Sequence, residues 1–183
     1  MNNLTDKNFG LVIAYLVPGF IAICGASFQS PTIKSWIAGD GGVSVGGFLY
    51  SSLAAIFVGL LSSTVRWLVL DRINEWTGII RPNWDFSRLQ ANSEAFTLLN
   101  ENQYRYYQFY GNSLFAWLFA YGCWRTAYLV SWPAWPDVGA LAISSLLFLG
   151  SRDTLRKYYE RLDLLLNQKL TGLVIASPFN LPK

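Results

Sequence analysis

The sequence predicts an all-α, polytopic membrane protein with four transmembrane helices, a helical cytoplasmic loop and a C-terminal cytoplasmic helix that extends the fourth span. Of its 183 residues 52% are hydrophobic and 14% are charged, against roughly 25% charged residues in an average soluble domain. Charge is also absent over three long stretches. These comprise 26 residues between Lys7 and Lys34, 25 between Asp40 and Arg66, and 19 between Arg105 and Arg125.

Each uncharged stretch is long enough for a membrane-spanning helix. A bilayer core about 30 Å thick needs about 20 apolar residues per helix, and peptide groups in hydrocarbon must be hydrogen-bonded within the protein. The three stretches therefore predict spans at 9–29, 44–66 and 111–131. A fourth span at 132–151 is weaker, because Val138 to Ser151 contributes only 14 uncharged residues.

The distribution of basic residues favours four spans with both termini in the cytoplasm. In that topology twelve basic residues lie inside, Lys34 alone lies in an outer loop, and Arg125 lies within a span. Cytoplasmic loops of membrane proteins carry such an excess of Lys and Arg. The prediction is an inner-membrane protein with a transmembrane domain at 1–151, whose cytoplasmic loop covers 67–110, and a cytoplasmic helix and docking tail at 152–183.

Small residues recur every fourth position in the first two predicted spans. They are Gly10, Ala14, Pro18, Ala22 and Ala26 in the first span and Gly47, Ser51, Ala55, Gly59 and Ser63 in the second. Residues four apart share one helical face, and small side chains let membrane helices approach closely. The stripes predict either packing of the first helix on the second, or a subunit interface or pore-lining face. Pro18 also predicts a kink.

Charged and aromatic residues near the span ends have several interpretations. Arg125, inside the third span, can extend to the outer headgroups, pair with Asp137 at the start of the fourth span, or line an ion path. Arg66, at the inner end of the second span, is expected to extend to the inner headgroups. The Tyr-rich segment 104–110 is typical of an interfacial aromatic belt.

The predicted cytoplasmic parts also have helical patterns. A helix is expected from about Ser93, and it can run directly into the third span. After the fourth span an apolar stripe recurs at helical spacing, formed by Leu155, Tyr159, Leu162, Leu166 and Leu170. This stripe must be buried against the loop helix, a sister subunit or a soluble partner.

Several classes of chemistry are excluded or disfavoured by the residues. The chain has no His, which excludes His-based catalytic triads and His-ligated zinc or haem. Cys24 and Cys123 both lie inside predicted spans and are typical of small buried apolar residues. We therefore expect no enzyme activity, no cofactor and no metal. The net charge of +3 reflects topology, and direct binding of nucleic acid is not expected.

The expected function is that of a non-catalytic membrane protein. We expect a homo-oligomer in the lipid bilayer that acts as a channel-like or membrane-perturbing effector, controlled through its cytoplasmic helices. The alternative is a membrane-anchored scaffold or sensor subunit that recruits a soluble cytoplasmic protein. The general form is similar to membrane subunits of bacterial anti-phage and stress-response systems, which is a likeness of architecture alone.

Overall fold

A computed structural model describes residue 10 and residues 12–38, 44–129, 131 and 133–167 of the chain. Of these described residues 84% are helical and none is in a strand, so the predicted all-α fold is confirmed. The helices are α1 (Val12–Ala26), α2 (Pro31–Ile37), α3 (Val45–Trp76), α4 (Ser93–Leu99), α5 (Arg105–Tyr128) and α6 (Trp135–Leu166).

Four of these helices form the bundle. α1 packs against both α3 and α5, and α5 also packs against α3 and α6. α3 and α6, at 32 residues each, are long and apolar enough to cross a membrane by length and composition; each extends about 48 Å at about 1.5 Å per residue. The predicted spans 44–66 and 132–151 coincide with the first parts of these two helices.

The helix boundaries have local chemical causes. Ser44 is the N-cap residue of α3. Its hydroxyl accepts a hydrogen bond from the backbone N–H of Gly47 at 3.0 Å, which is the usual role of Ser at a helix N-terminus. α5 ends where Leu129 adopts a left-handed backbone conformation with φ 47°. α6 continues through residue 151 without a break, so the predicted boundary between the two parts of the chain falls inside a helix.

The segment between α3 and α5 has ordered structure, as its length predicts. α4 continues through a π-helical turn, Asn100–Tyr104, directly into α5. The preceding loop is held to the end of α6, because the Asn167 amide donates to the Asn83 carbonyl at 2.9 Å and accepts from the Asp85 backbone N–H at 3.0 Å. Hydrogen bonds from the Ser87 side chain and backbone lower the pKa of the Asp85 carboxyl.

Candidate functional site

The first candidate site is a buried charge cluster in the bundle interior, which we call the Arg66 cluster (Arg66, Asp71 and Tyr107). Arg66 of α3 is only 4% exposed. Its Nη1 lies 3.4 Å from Asp71 Oδ1, and its guanidinium carbon lies 4.7 Å from the centre of the Tyr107 ring. The Tyr107 hydroxyl, on α5, donates to the same Asp71 oxygen. One cation, one anion and one phenol thus join α3 to α5.

Gly111 makes room for this cluster. A Cβ atom at Gly111 would lie 2.5 Å from Arg66 Cδ and 2.9 Å from Arg66 Cγ, which is too close for two carbon atoms. The aliphatic part of Arg66 therefore packs directly on the α5 backbone. This close approach places the guanidinium next to the ring of Tyr107, which lies one helical turn before Gly111 on α5.

The expectation that Arg66 extends to the headgroups is wrong, and so is the interfacial role expected for Tyr107. α3 continues ten residues beyond Arg66, to Trp76, so Arg66 is not at a helix end. Asp71 and Tyr107 also provide partners inside the bundle, and a charge in apolar surroundings is retained only when it is paired. Asp71, five residues after Arg66, was the sequence signal for this pairing.

Further polar side chains lie near the Arg66 cluster and have buried atoms without a hydrogen-bond partner among the residues that the structure describes. Asn74 follows Leu70 by one turn on α3, and Gln103 precedes Tyr107 by one turn. Leu70 and Tyr107 share one apolar cluster with Leu155 of α6, and Ser151 precedes Leu155 by one turn. The unpaired atoms are Asn74 Nδ2 and Oδ1, Gln103 Oε1, Ser151 Oγ and Arg66 Nε. This part of the interior therefore combines apolar packing with buried polar atoms.

The second candidate site, the Arg125 cluster, lies at the other end of the bundle and comprises Tyr121, Arg125 and Asp137. Arg125 Nη1 of α5 pairs with Asp137 Oδ1 of α6. The Tyr121 hydroxyl donates to the same carboxylate oxygen, and Arg125 Nη1 lies 3.2 Å from that hydroxyl. Of the alternatives for Arg125, the structure has the pair with Asp137.

Asp137 also holds the start of α6. Its Oδ2 accepts from the Ala134 backbone N–H at 2.6 Å, which satisfies a backbone donor at a helix terminus. The Arg66 and Arg125 clusters thus have the same composition, with an Arg and a Tyr meeting on one Asp oxygen. In each case the three groups connect two helices.

The two small-residue stripes meet inside the chain. Ala14, Pro18, Ala22, Gly47, Ser51, Ala55 and Gly59 are buried, whereas Gly10, Ala26 and Ser63 are half-buried. A Cβ at Gly59 would lie 2.0 Å from the Tyr15 carbonyl oxygen, and a Cβ at Gly19 would lie 1.8 Å from the Ala55 carbonyl oxygen. Of the two interpretations of the stripes, α1-to-α3 packing is the arrangement in this structure.

Pro18 has a consequence that sequence reasoning missed. Proline has no N–H, so in α-helical geometry the carbonyl of residue 14 loses its partner. The Ala14 carbonyl instead accepts a hydrogen bond at 2.8 Å from the Asn112 amide of α5, and this contact is fully buried. The preceding turn, Val12–Leu16, is π-helical. A proline and an asparagine in two predicted spans were the only sequence signal for this contact.

The apolar stripe after the fourth predicted span is buried within the chain. Leu162 and Leu166 form a cluster with Tyr158, against which Trp84, Leu89 and Phe96 pack. Leu155 belongs to the apolar cluster of Leu70 and Tyr107, and Tyr159 packs against both clusters. Of the three partners left open by the sequence, the loop helix and its neighbouring loop cover the stripe. Leu170 lies outside the described residues.

Comparisons with family models, curated proteins and solved structures find no match to this chain. Within the part of the chain that the structure describes, no group of three or more His, Cys, Asp or Glu side chains could hold a metal ion. The two charge clusters, the buried polar atoms and the exposed surface are therefore the features from which a function can be inferred.

Proposed function

We propose that the chain is an integral inner-membrane protein in which α1, α3, α5 and α6 are the four spans and both termini are cytoplasmic. The observation that supports this is an inverted distribution of polarity. Large apolar side chains face outwards along the helices, such as Leu53 at 66% and Leu141 at 69% exposure, while Arg66, Asn112 and Ser151 are buried. Apolar surface of this extent needs a cover, and hydrocarbon provides it.

Cysteine labelling tests this topology. The chain has only two cysteines, so a variant with Cys24→Ala and Cys123→Ala accepts single reporters at Lys34→Cys and Arg156→Cys. A membrane-impermeant maleimide should label the first reporter in spheroplasts and the second only after lysis. Labelling of both reporters before lysis, or release of the chain from membranes by alkaline carbonate, would contradict four spans.

We further propose that the protein oligomerises and acts as a channel-like or membrane-perturbing effector controlled through its cytoplasmic helices. The supporting observation is the set of buried polar atoms of Asn74, Gln103 and Ser151, which have no hydrogen-bond partner within the described part of the chain. Buried polar groups without protein partners are costly and are commonly satisfied by water or an ion, which a path for ions or polar solutes through the cytoplasmic end of the bundle would supply. Hydration or ion binding there would satisfy these groups.

Ion flux across reconstituted liposomes tests this activity. Ser151→Leu should reduce flux, because leucine removes a polar group and fills the interior at that level. Thr64→Leu is the matched control, since Thr64 is exposed on the apolar surface of α3 and its hydroxyl bonds only within its own helix. Sealed liposomes with the unmodified protein, or a monomer as the only species in detergent, would refute the effector proposal.

The alternative proposal is a membrane-anchored scaffold that recruits a soluble cytoplasmic partner. It is supported by apolar side chains left exposed after the Leu162 stripe is buried, namely Trp76, Ile80 and Phe86. Under this proposal Ile80→Asp should abolish co-purification of a defined partner, whereas Ala95→Asp, a change at an exposed residue of α4, should not. If these variants changed ion flux but left co-purification unchanged, the result would favour the effector proposal.

A further inference from the structure

An apolar groove with a volume of about 780 Å³ lies between α1, α5 and α6. Its walls include Phe20 and Cys24 of α1, Trp117 and Trp124 of α5, and Gly139 and Ile143 of α6. The volume is in the range of roughly 300–1,000 Å³ that small-molecule sites occupy. In the four-span topology these residues lie in the outer halves of their helices, so the groove belongs to the outer leaflet.

The groove ends at the Arg125 cluster. Tyr121 lines the groove, and its hydroxyl bonds to Asp137. Arg125 lies one helical turn beyond Tyr121 and pairs with the same carboxylate across the gap between α5 and α6. The side chains of Arg125 and Asp137 are 22% and 9% exposed. An ion pair is therefore held next to one end of the apolar groove.

We propose that this groove binds one zwitterionic phospholipid of the outer leaflet. An acyl chain lies along the groove, the headgroup phosphate faces the Arg125 guanidinium, and the headgroup amine faces the Asp137 carboxylate. This inference rests on the membrane insertion proposed above.

Charge complementarity identifies the headgroup. The planar guanidinium of Arg matches a phosphate geometrically, while the adjacent carboxylate attracts an ammonium group and repels a second negative charge. Because the pair carries no net charge, a zwitterion such as phosphatidylethanolamine matches both groups. An anionic phosphatidylglycerol headgroup offers the phosphate but no amine for Asp137.

Gly139 provides a sharp test. A Cβ atom built on Gly139 meets no atom within 4 Å, and Gly139 lines the groove, so Gly139→Leu adds an apolar side chain at the groove wall. Gly122 on α5 is the matched control, because a Cβ there also meets nothing within 4 Å and Gly122 does not line the groove. Both changes replace glycine with leucine in a helix, so they raise helix propensity equally.

The experiment is native mass spectrometry of the full chain in detergent, with phosphatidylethanolamine or phosphatidylglycerol added. We expect one phosphatidylethanolamine per unmodified chain, retained by Gly122→Leu. Gly139→Leu should weaken retention about tenfold, because the new side chain displaces about two buried methylenes of the lipid. Ile143→Trp, which narrows the groove from an already exposed position, should have the same effect. Thermal unfolding of each variant verifies folding.

Four results would overturn the proposal. They are an unmodified chain without lipid, equal retention by Gly139→Leu and the unmodified chain, equal retention of both lipids, and a second protein chain in place of lipid at this groove. The last would appear as a dimer that Gly139→Leu disrupts. If the cysteine reporters establish four spans and no lipid is retained, this inference alone fails. If the chain is released by carbonate, the proposed membrane insertion fails with it.

Discussion

The contact between Asn112 and the Ala14 carbonyl leads to a quantitative prediction. The Asn112 amide donates to this carbonyl at 2.8 Å, and in an α-helix this carbonyl would accept from the N–H of residue 18, which Pro18 lacks. Asn112→Leu keeps a side chain of similar size and removes the donor. Pro18→Ala restores an N–H at residue 18, so that the carbonyl can be satisfied within α1. The two positions should therefore be coupled.

The expected magnitude follows from the burial of this contact. A buried carbonyl left without a partner costs about 1–3 kcal/mol, and hydrogen bonds between membrane helices contribute on average about 0.6 and at most about 1.7 kcal/mol. Asn112 Oδ1 has no hydrogen-bond partner among the described residues, so its removal offsets part of the loss. We expect Asn112→Leu to lower the free energy of unfolding by about 1–2 kcal/mol.

A double-mutant cycle measures the coupling. In the Pro18→Ala background the cost of Asn112→Leu should fall to below about 0.5 kcal/mol, giving a coupling of about 1 kcal/mol. The assay is reversible unfolding in mixed micelles, followed by tryptophan fluorescence. Distant sites add within about 0.3–0.5 kcal/mol. Costs that add within that margin would refute the claim that Asn112 replaces the hydrogen bond that Pro18 removes.

Three further predictions concern the Arg66 cluster, the apolar stripe of α6 and the close contact between α1 and α3. Asp71→Asn leaves Arg66 buried without its anion and should lower the free energy of unfolding by about 3 kcal/mol. Arg66→Leu should cost less, because the Asp71 side chain that it leaves unpaired is 29% exposed. A larger cost for Arg66→Leu than for Asp71→Asn would contradict this reasoning. Leu162→Asp puts a charge into a closed apolar cluster and should make residues 79–104 accessible to protease. Unchanged proteolysis would contradict this burial. Gly59→Leu should lower the free energy of unfolding by about 1–3 kcal/mol, because the new side chain pushes α1 away from α3. Gly122→Leu should not lower it. Equal effects of the two variants would argue against close packing of α1 on α3.

The sequence was informative about helix positions because they follow from runs of apolar residues. The stretch 44–66 and the pattern after residue 151 both correspond to observed helices. Arg66 shows the limit of this reasoning. Its place at the end of an apolar run predicted a headgroup contact, but whether a side chain points inwards depends on neighbours brought by another helix, here Tyr107 and Gly111.

The same limit applies to the stripes. Periodicity predicted that Leu162 and Leu166 must be covered and that the small residues of the first two spans must pack closely. It left the identity of the covering surface open, since a stripe is equally well covered by the same chain, another copy or a different protein. The structure has Trp84, Leu89 and Phe96 packed on the Leu162 side, and these residues belong to α4 and to the loop that precedes it.

α6 has the geometry of a lever. It carries Asp137 in its first turn and the Leu162 cluster near its last, on 32 uninterrupted residues. Near its midpoint Gly150 packs closely on the Tyr110 ring, where a Cβ would lie 3.2 Å from Tyr110 Cδ1. A tilt of about 5° about this contact moves each end by about 2 Å in opposite directions. A displacement of that size would separate Arg125 from Asp137, so a rigid α6 would couple a movement of the loop helices to the ion pair at the far end of the bundle.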